Sequence, residues 1–177
     1  MRLVAALLGV FLTLVTAAPV DAASSARTAP LPQTVGVDIT VPAAVNLGVG
    51  FAGGTLTGSL GVVEVTDKRG PVNPNTWVAT VSASIFVTGA GGVNQTIDAG
   101  SVFYWSGPVV RSTGGGVLVP GQLTAAQAVA LDVTREAFRK ISGSGNNNVS
   151  WAPTVRVVIP ANVVAGTYTG TVTHSVA

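Results

Sequence analysis

Few side chains in this 177-residue sequence have the chemistry that catalysis or metal binding requires. Cysteine is absent and His174 is the single histidine, so a Ser-His-Asp triad or a zinc site would depend on one imidazole. No Gly-x-Ser-x-Gly elbow is present. His174 alternates with Thr173 and Ser175, which predicts an ordinary strand side chain near a sheet edge. We therefore expect no catalytic residue and no metal ligand, and we expect the protein not to be an enzyme.

One glycine-rich stretch has the spacing of a nucleotide site. Gly48-Val-Gly-Phe-Ala-Gly53 matches the dinucleotide fingerprint, whose mechanism needs a helix to begin there and hold pyrophosphate at its amino terminus. The residues that follow, 54–61, are too rich in glycine and threonine to begin a useful helix. We expect no cofactor. The acidic residues that could act in pairs on a glycosidic bond are spread singly along the chain: Asp38, Glu64, Asp67, Asp98, Asp132 and Glu136.

The most distinctive polar stretch covers residues 65–77. Asp67 and Gly70 are turn residues, so a polar loop is predicted between two strands. Asp67 is expected to accept bonds from loop amides or to pair with Arg69 or Lys68. Binding residues favour loops on rigid scaffolds. Asp67, Arg69 and Trp77 are therefore candidate ligand-binding residues, and a plain hairpin connection is the alternative.

Aromatic residues provide the other candidate contact. Trp77, Trp105 and Trp151 are expected in the core, since large aromatics dominate sandwich packing. If Trp105 is exposed, however, it suits stacking on a sugar ring. Strand alternation places its neighbours Phe103 and Tyr104 on opposite sheet faces, so at most half of this run points outward.

The amino-terminal residues are typical of a secretory signal. Arg2 supplies a positive charge, residues 3–15 are largely apolar, and Val20-Asp-Ala22 offers the small residues needed for cleavage after Ala22, with cleavage after Ala23 as the near alternative. An uncleaved signal anchor is the alternative, since 3–20 is almost long enough to span a bilayer. We predict a secreted, extracellular protein that is free of the membrane after cleavage, divided into a signal peptide 1–22, a linker 23–33 and a domain 34–177.

Composition limits the classes of partner. Charged residues make up 9% of the chain and the net charge is +2, which is too small and too scattered for a grip on nucleic acid. Hydrophobic residues make up 47%, which excludes a disordered chain. The length suits one domain with a sizeable core.

Periodicity predicts the fold class. Runs rich in β-branched residues alternate with Gly, Pro and Asn, which indicates an all-β, two-layer antiparallel sandwich of immunoglobulin-like or Greek-key type. About eight strands would fill it. Residues 93–99 are expected to pair with 101–105, a mobile loop is expected at 143–148, and the last strand is expected to close a sheet. The predicted strands are 35–41, 58–66, 77–87, 93–99, 101–105, 114–119, 154–159 and 166–176. In the longest of them alternation places one set of residues on the same face: Trp77, Ala79, Val81, Ala83, Ile85 and Val87.

Residues 124–140 are ambiguous. They contain good helix formers, Thr124 is a candidate N-cap, and Ala126, Ala130, Val133 and Ala137 share a helical face. Their β-branched residues fit strands equally well. The segment is predicted as one short helix or two strands.

Several short motifs resemble a known family. They are Val65-Thr-Asp67, Arg69-Gly70, Trp77 at the start of a long strand, and the closing Ala165-Gly166-x-Tyr168-x-Gly170-Thr-Val-Thr. Together they resemble the WxL domain of Gram-positive surface proteins. Where that family has its two Trp-x-Leu tripeptides, this chain reads Trp77-Val-Ala79 and His174-Ser-Val176.

The resemblance implies a secreted, β-rich domain of the cell surface that attaches non-covalently to peptidoglycan or another polymer or protein of the cell envelope. The closing turn and strand also resemble the end of spore-coat and pilus-type β-sandwich subunits. That likeness implies, as the alternative function, a structural subunit that assembles through strand edges.

Overall fold

The computed structural model describes residues 4–13 and 36–177. The predicted linker and most of the predicted signal peptide lie outside these residues, but 4–13 form a strand. The first eight strands are β1 Val4–Thr13, β2 Val37–Thr40, β3 Ala44–Val49, β4 Thr55–Ser59, β5 Val63–Asp67, β6 Trp77–Ala83, β7 Phe86–Val87 and β8 Thr96–Ile97. The next eight are β9 Val102–Trp105, β10 Val109–Thr113, β11 Leu118–Pro120, β12 Val129–Ala130, β13 Arg135–Lys140, β14 Asn147–Trp151, β15 Thr154–Val158 and β16 Thr167–Val176. Two 3-10 turns, Ala99–Ser101 and Ala125–Gln127, complete the elements.

The strands form three sheets. The largest has eight strands, in the order β11-β13-β6-β16-β1-β3, with β7 paired to β16 and β8 to β7. The second sheet is β10-β14-β5-β2, and the third is β12-β9-β15-β4. Every pairing is antiparallel except that of β1 with β3.

Aromatic contacts show how the sheets pack. Phe138 of the large sheet stacks on Trp151 of the second sheet, with ring centroids 4.9 Å apart. His174 of the large sheet meets Tyr104 of the third sheet at 3.2 Å. The large sheet therefore faces both smaller sheets across one continuous apolar core. The prediction of an all-β sandwich is confirmed.

The long strand predicted at 77–87 is interrupted after Ala83. Trp77, Ala79 and Val81 face the core as expected, but Ile85 is exposed and Phe86 is buried. Ser84 causes the shift, because its backbone N–H donates to the Thr171 carbonyl while its hydroxyl donates to the carbonyl of Ile85. Between the pairs Ala83–Val172 and Val87–Thr169 this strand has one residue more than β16, which reverses the alternation, as a bulge does. The predicted inward face was wrong beyond Ala83.

Residues 124–140 form two strands, β12 and β13, rather than a helix. Helical character is confined to the turn Ala125–Gln127. Here the Gln127 side chain accepts the backbone N–H groups of Leu123 and Thr124 at 2.8 and 3.2 Å. Because β13 pairs with both β6 and β11, tertiary pairing overrides the local helix propensity.

Other expectations about strands need correction. Residues 93–99 do not pair with 101–105, since β8 joins β7 in the large sheet while β9 joins β15 in the third. The loop expected at 143–148 is shorter, because Asn147 and Asn148 begin β14. The stretch 58–66 is not one strand: its first residues end β4 at Ser59, and β5 begins at Val63. Each difference reflects long-range pairing that local pattern does not encode.

The last strand lies inside its sheet and not at an edge. β16 pairs with β6 on one side, and over its whole length it pairs with β1 on the other, from Thr167 opposite Thr13 to Val176 opposite Val4. His174 is thus a buried central residue, and the expectation of a place near a sheet edge was wrong.

Candidate functional site

Asp67 and Arg69 form an ion pair where β5 leaves its sheet. Asp67 is fully buried, whereas the Arg69 side chain is 30% exposed. The guanidinium donates through Nε to Asp67 Oδ1 at 3.0 Å and through Nη2 to Oδ2 at 2.7 Å. The Arg69 backbone N–H also donates to Oδ1 at 3.0 Å. This bidentate geometry fixes the first turn of the loop that joins β5 to β6.

The pair belongs to a larger buried group. Arg69 Nη2 donates to Asn75 Oδ1 at 2.6 Å, and the Lys140 ammonium donates to the Asn75 backbone carbonyl at 2.8 Å. The Trp77 indole donates to Asn147 Oδ1 at 3.2 Å. The loop is therefore attached to β13 and β14 by polar contacts. We call this group the charged cluster: Asp67, Arg69, Asn75, Lys140 and Asn147.

Electrostatics within the charged cluster favour an ionised carboxylate. Burial by itself raises the pKa of Asp67, but the hydrogen bonds and charge of Arg69 outweigh burial and hold that pKa below its usual range. Burial lowers the pKa of Lys140, an effect that the nearby Asp67 charge opposes. One carboxylate thus stabilises two cations, and the charged cluster stabilises the loop rather than presenting a reactive group.

His174 belongs to a second buried polar chain. The Trp151 indole can only donate, and it donates to the Tyr104 hydroxyl at 3.3 Å. The Tyr104 hydroxyl oxygen lies 3.2 Å from His174 Nε2. Because that oxygen already accepts from Trp151, we assign the Tyr104 hydroxyl as the donor to Nε2, which leaves the imidazole proton on Nδ1. Nδ1 is buried and has no hydrogen-bond partner among the described residues. Burial lowers the pKa of His174 to about 4, which makes the neutral imidazole the stable form in the core.

Trp105 lies elsewhere, on the outer surface of the third sheet. Residues 103 and 105 point away from the core and are half-buried, while Tyr104 between them is fully buried. The register places Arg156 beside Phe103 and Thr154 beside Trp105. The Arg156 guanidinium carbon lies 5.0 Å from the Phe103 ring centroid, which is a cation–π contact.

The neighbouring strand extends this surface with hydroxyl groups. Thr57 pairs with Arg156 and Ser59 pairs with Thr154, and both side chains are exposed. We call the outward surface the aromatic face: Phe103, Trp105, Thr154, Arg156, Thr57 and Ser59. Ring faces beside hydroxyls and one cation suit a ligand with flat apolar faces, polar edges and some negative charge.

The four candidate binding residues thus separate into two groups. Asp67, Arg69 and Trp77 converge on the charged cluster, where Asp67 and Trp77 are buried, and Trp105 lies on the aromatic face. Sequence reasoning missed Arg156 and Lys140. The alternation of 103 and 105 indicated one shared face, but only strand pairing could place Arg156 beside Phe103.

The closing motif has a structural explanation. A Cβ on Gly170 would lie 2.8 Å from the buried Phe86 ring, and a Cβ on Gly166 would collide with the Thr88 hydroxyl. The Tyr168 hydroxyl donates to the Val164 carbonyl at 2.8 Å and lies 3.1 Å from the carbonyl of Asn94. Both glycines permit close approach, and the tyrosine ties two loops to β16.

Comparison with known proteins gives no assignment: no protein-family model matches the chain, and no curated protein matches its sequence. Within residues 4–13 and 36–177, no group of three His, Asp or Glu side chains is placed to hold a metal ion. Over the same part of the chain, no helix combines the length and apolar character needed to cross a membrane.

Proposed function

We propose that this chain is a secreted, non-enzymatic protein of the cell envelope that binds peptidoglycan or another envelope polymer non-covalently through the aromatic face. The observation that carries the proposal is the row of Phe103, Arg156 and Thr57 beside the row of Trp105, Thr154 and Ser59 on one outward sheet surface. Sugar rings stack on aromatic side chains, and hydroxyls and guanidinium groups bind the hydroxyl and carboxylate groups of wall glycopeptides.

The WxL-like motifs support the same proposal indirectly. Asp67, Arg69 and Trp77 are connected through the charged cluster, and Gly170 of the closing motif packs against Phe86 of β7. In our proposal these residues maintain the fold and the loop geometry. The residues of the aromatic face then contact the ligand.

Retention on purified, insoluble peptidoglycan tests the proposal. We expect the exported protein to sediment with it and Trp105→Thr to be retained at least tenfold less, since threonine keeps the strand propensity but removes the ring. Val110→Thr is the matched control, because Val110 is exposed on β10 of another sheet. Equal retention of all three proteins, or none above a bland control protein, contradicts the proposal.

A second candidate function is a structural subunit that assembles through strand edges. The uncharged ten-residue strand β16 favours it, because such a strand pairs readily with another chain when exposed. Light scattering of the exported protein over a wide concentration range tests it. A strict monomer at every concentration contradicts self-assembly.

A further inference from the structure

Strand β1 occupies a position one strand wide between β16 and β3. It runs antiparallel to β16 over ten consecutive residue pairs without a register shift. It runs parallel to β3, from Gly9 opposite Ala44 to Thr13 opposite Val49. Within the described residues β1 is the only strand paired with β3. The segment 4–13 thus completes the ladders of two strands at once.

The backbone groups that β1 satisfies on β16 can be identified. Ala177 exchanges both backbone hydrogen bonds with Val78, and the Thr171 carbonyl accepts from Ser84, so odd-numbered residues face β6 and β7. Alternate residues of an antiparallel strand face opposite neighbours. The residues whose N–H and C=O groups face β1 are therefore Tyr168, Gly170, Val172, His174 and Val176.

This edge of β16 has none of the features that prevent an exposed strand from pairing with another chain. Natural edges are protected by charges, prolines, bulges or short length. Residues 167–176 contain no charged residue and no proline, and they pair without a bulge. Because it lacks this protection, the edge pairs readily with a further strand. The same segment 4–13, however, is the apolar part of the predicted signal peptide, whose cleavage would expose the edge.

Residues 23–177 of a second copy are poorly suited to replace β1. Residues 36–177 are already built into the sandwich. Every ten-residue window within 23–35 contains both Pro30 and Pro32, and proline cannot donate to a strand ladder. These features of residues 23–177 favour a donor strand from a different chain.

From these observations we propose that the exported protein has a strand-acceptor slot between β16 and β3, which binds an extended, uncharged segment of about ten residues from a different protein. The donor runs antiparallel to β16, as residues 4–13 do. The proposal rests on export and signal cleavage, which belong to the proposed function, and is independent of the aromatic face.

The test uses exported protein whose measured mass shows that the signal peptide has been removed. The probe is a peptide with the sequence of residues 4–13 and added lysines outside both ends for solubility. The control peptide carries Ala6→Pro and Val10→Pro. These residues lie opposite His174 and Gly170 and face β16, so proline removes donors to that strand.

We expect one peptide to bind per protein and the control to bind at least tenfold more weakly. Binding should slow amide hydrogen exchange at Tyr168, Gly170, Val172, His174 and Val176. The amides of Thr169, Thr171, Thr173 and Ser175, which face β6 and β7, serve as the internal reference. Slower exchange at the first set of amides, with unchanged exchange at the second set, would support the strand-acceptor slot.

Three results would overturn the proposal. The first is equal binding, or no binding, of the two peptides. The second is an exported oligomer in which the slot-facing amides are already protected, which would assign the slot to a second copy. The third is exported protein that retains residues 4–13 in place. Peptidoglycan retention of the same preparation is scored separately, so failure of the slot with intact retention leaves the aromatic-face proposal standing.

Discussion

The charged cluster, with the Trp77 indole bound to it, and the aromatic face each combine an arginine and a tryptophan with polar side chains, but they differ in what surrounds them. In the charged cluster, Asp67 and Lys140 are buried and their polar atoms are directed at other residues of the protein. On the aromatic face, Trp105 and Arg156 are half-buried and point outward from a sheet. Motif chemistry alone does not separate the two regions. Burial does, because a group whose bonds are used internally has little left to offer a ligand.

The largest expected effect is Asp67→Asn, which removes the single carboxylate of the charged cluster and leaves two cations facing a neutral amide. We expect a loss of roughly 3 kcal/mol in the free energy of unfolding, at the lower end for breaking a buried pair because Arg69 is partly solvated. Denaturant unfolding measures it. Asp132→Asn removes the exposed partner of Arg135 and, as the control, should cost less than about 1 kcal/mol. Similar losses of unfolding free energy in the two variants would mean that burial does not determine how much each ion pair stabilises the fold.

Acid should destabilise the interior through His174. Its folded-state pKa, about 4, lies below the value of 6.5 for an exposed histidine, so the unfolded chain binds the proton more tightly. The stability from the neutral imidazole is fully present above about pH 6.5 and is lost as the pH falls toward 4, by about 3 kcal/mol in all.

His174→Gln removes this titration while its amide oxygen can still accept from Tyr104. We expect the free energy of unfolding of this variant, measured from pH 7 to pH 4.5, to fall much less than that of the unchanged protein. Parallel pH profiles for the two proteins would exclude His174 as the source of acid sensitivity.

Gly170→Ala tests the close approach of β7 to β16. The added methyl would lie 2.8 Å from a Phe86 ring that is fully buried and cannot move aside. We expect a loss of roughly 2 kcal/mol in the free energy of unfolding. Gly36→Ala, where no atom lies within 4 Å of the new methyl, is the control, and thermal unfolding of both variants gives the comparison.

The smallest expected effect on stability is at the aromatic face. Trp105→Thr should cost about 1 kcal/mol in unfolding free energy, because the ring is only half-buried, while peptidoglycan retention falls at least tenfold. Asp67→Asn, assayed below its unfolding transition, should keep its retention. The opposite result, with retention lost in the cluster variant and kept in the face variant, would assign binding to the charged cluster.

The predictions from sequence succeeded where local pattern decides the outcome. Alternation in 77–83 predicted that strand and the residues that share its buried face, and the residues of 166–176 predicted the last strand. The turn-forming residues Asp67 and Gly70 correctly predicted the loop between β5 and β6. Predictions left the outcome open where two local states had similar energy, as at 124–140, and failed where one residue changed the alternation, as at Ser84. They also failed for strand partners, because pairing joins residues that are distant along the chain.

Composition and periodicity by themselves determined an all-β domain with a hydroxyl-rich exterior, since side-chain alternation is imposed on every strand. Tertiary structure alone decided which polar residues are buried, which ones share a face, and that β16 lies inside its sheet with β1 beside it. The physical reason is that solvent exclusion and strand register arise from the assembled sheets. A side chain's neighbours across a sheet are set by that register and not by its own segment.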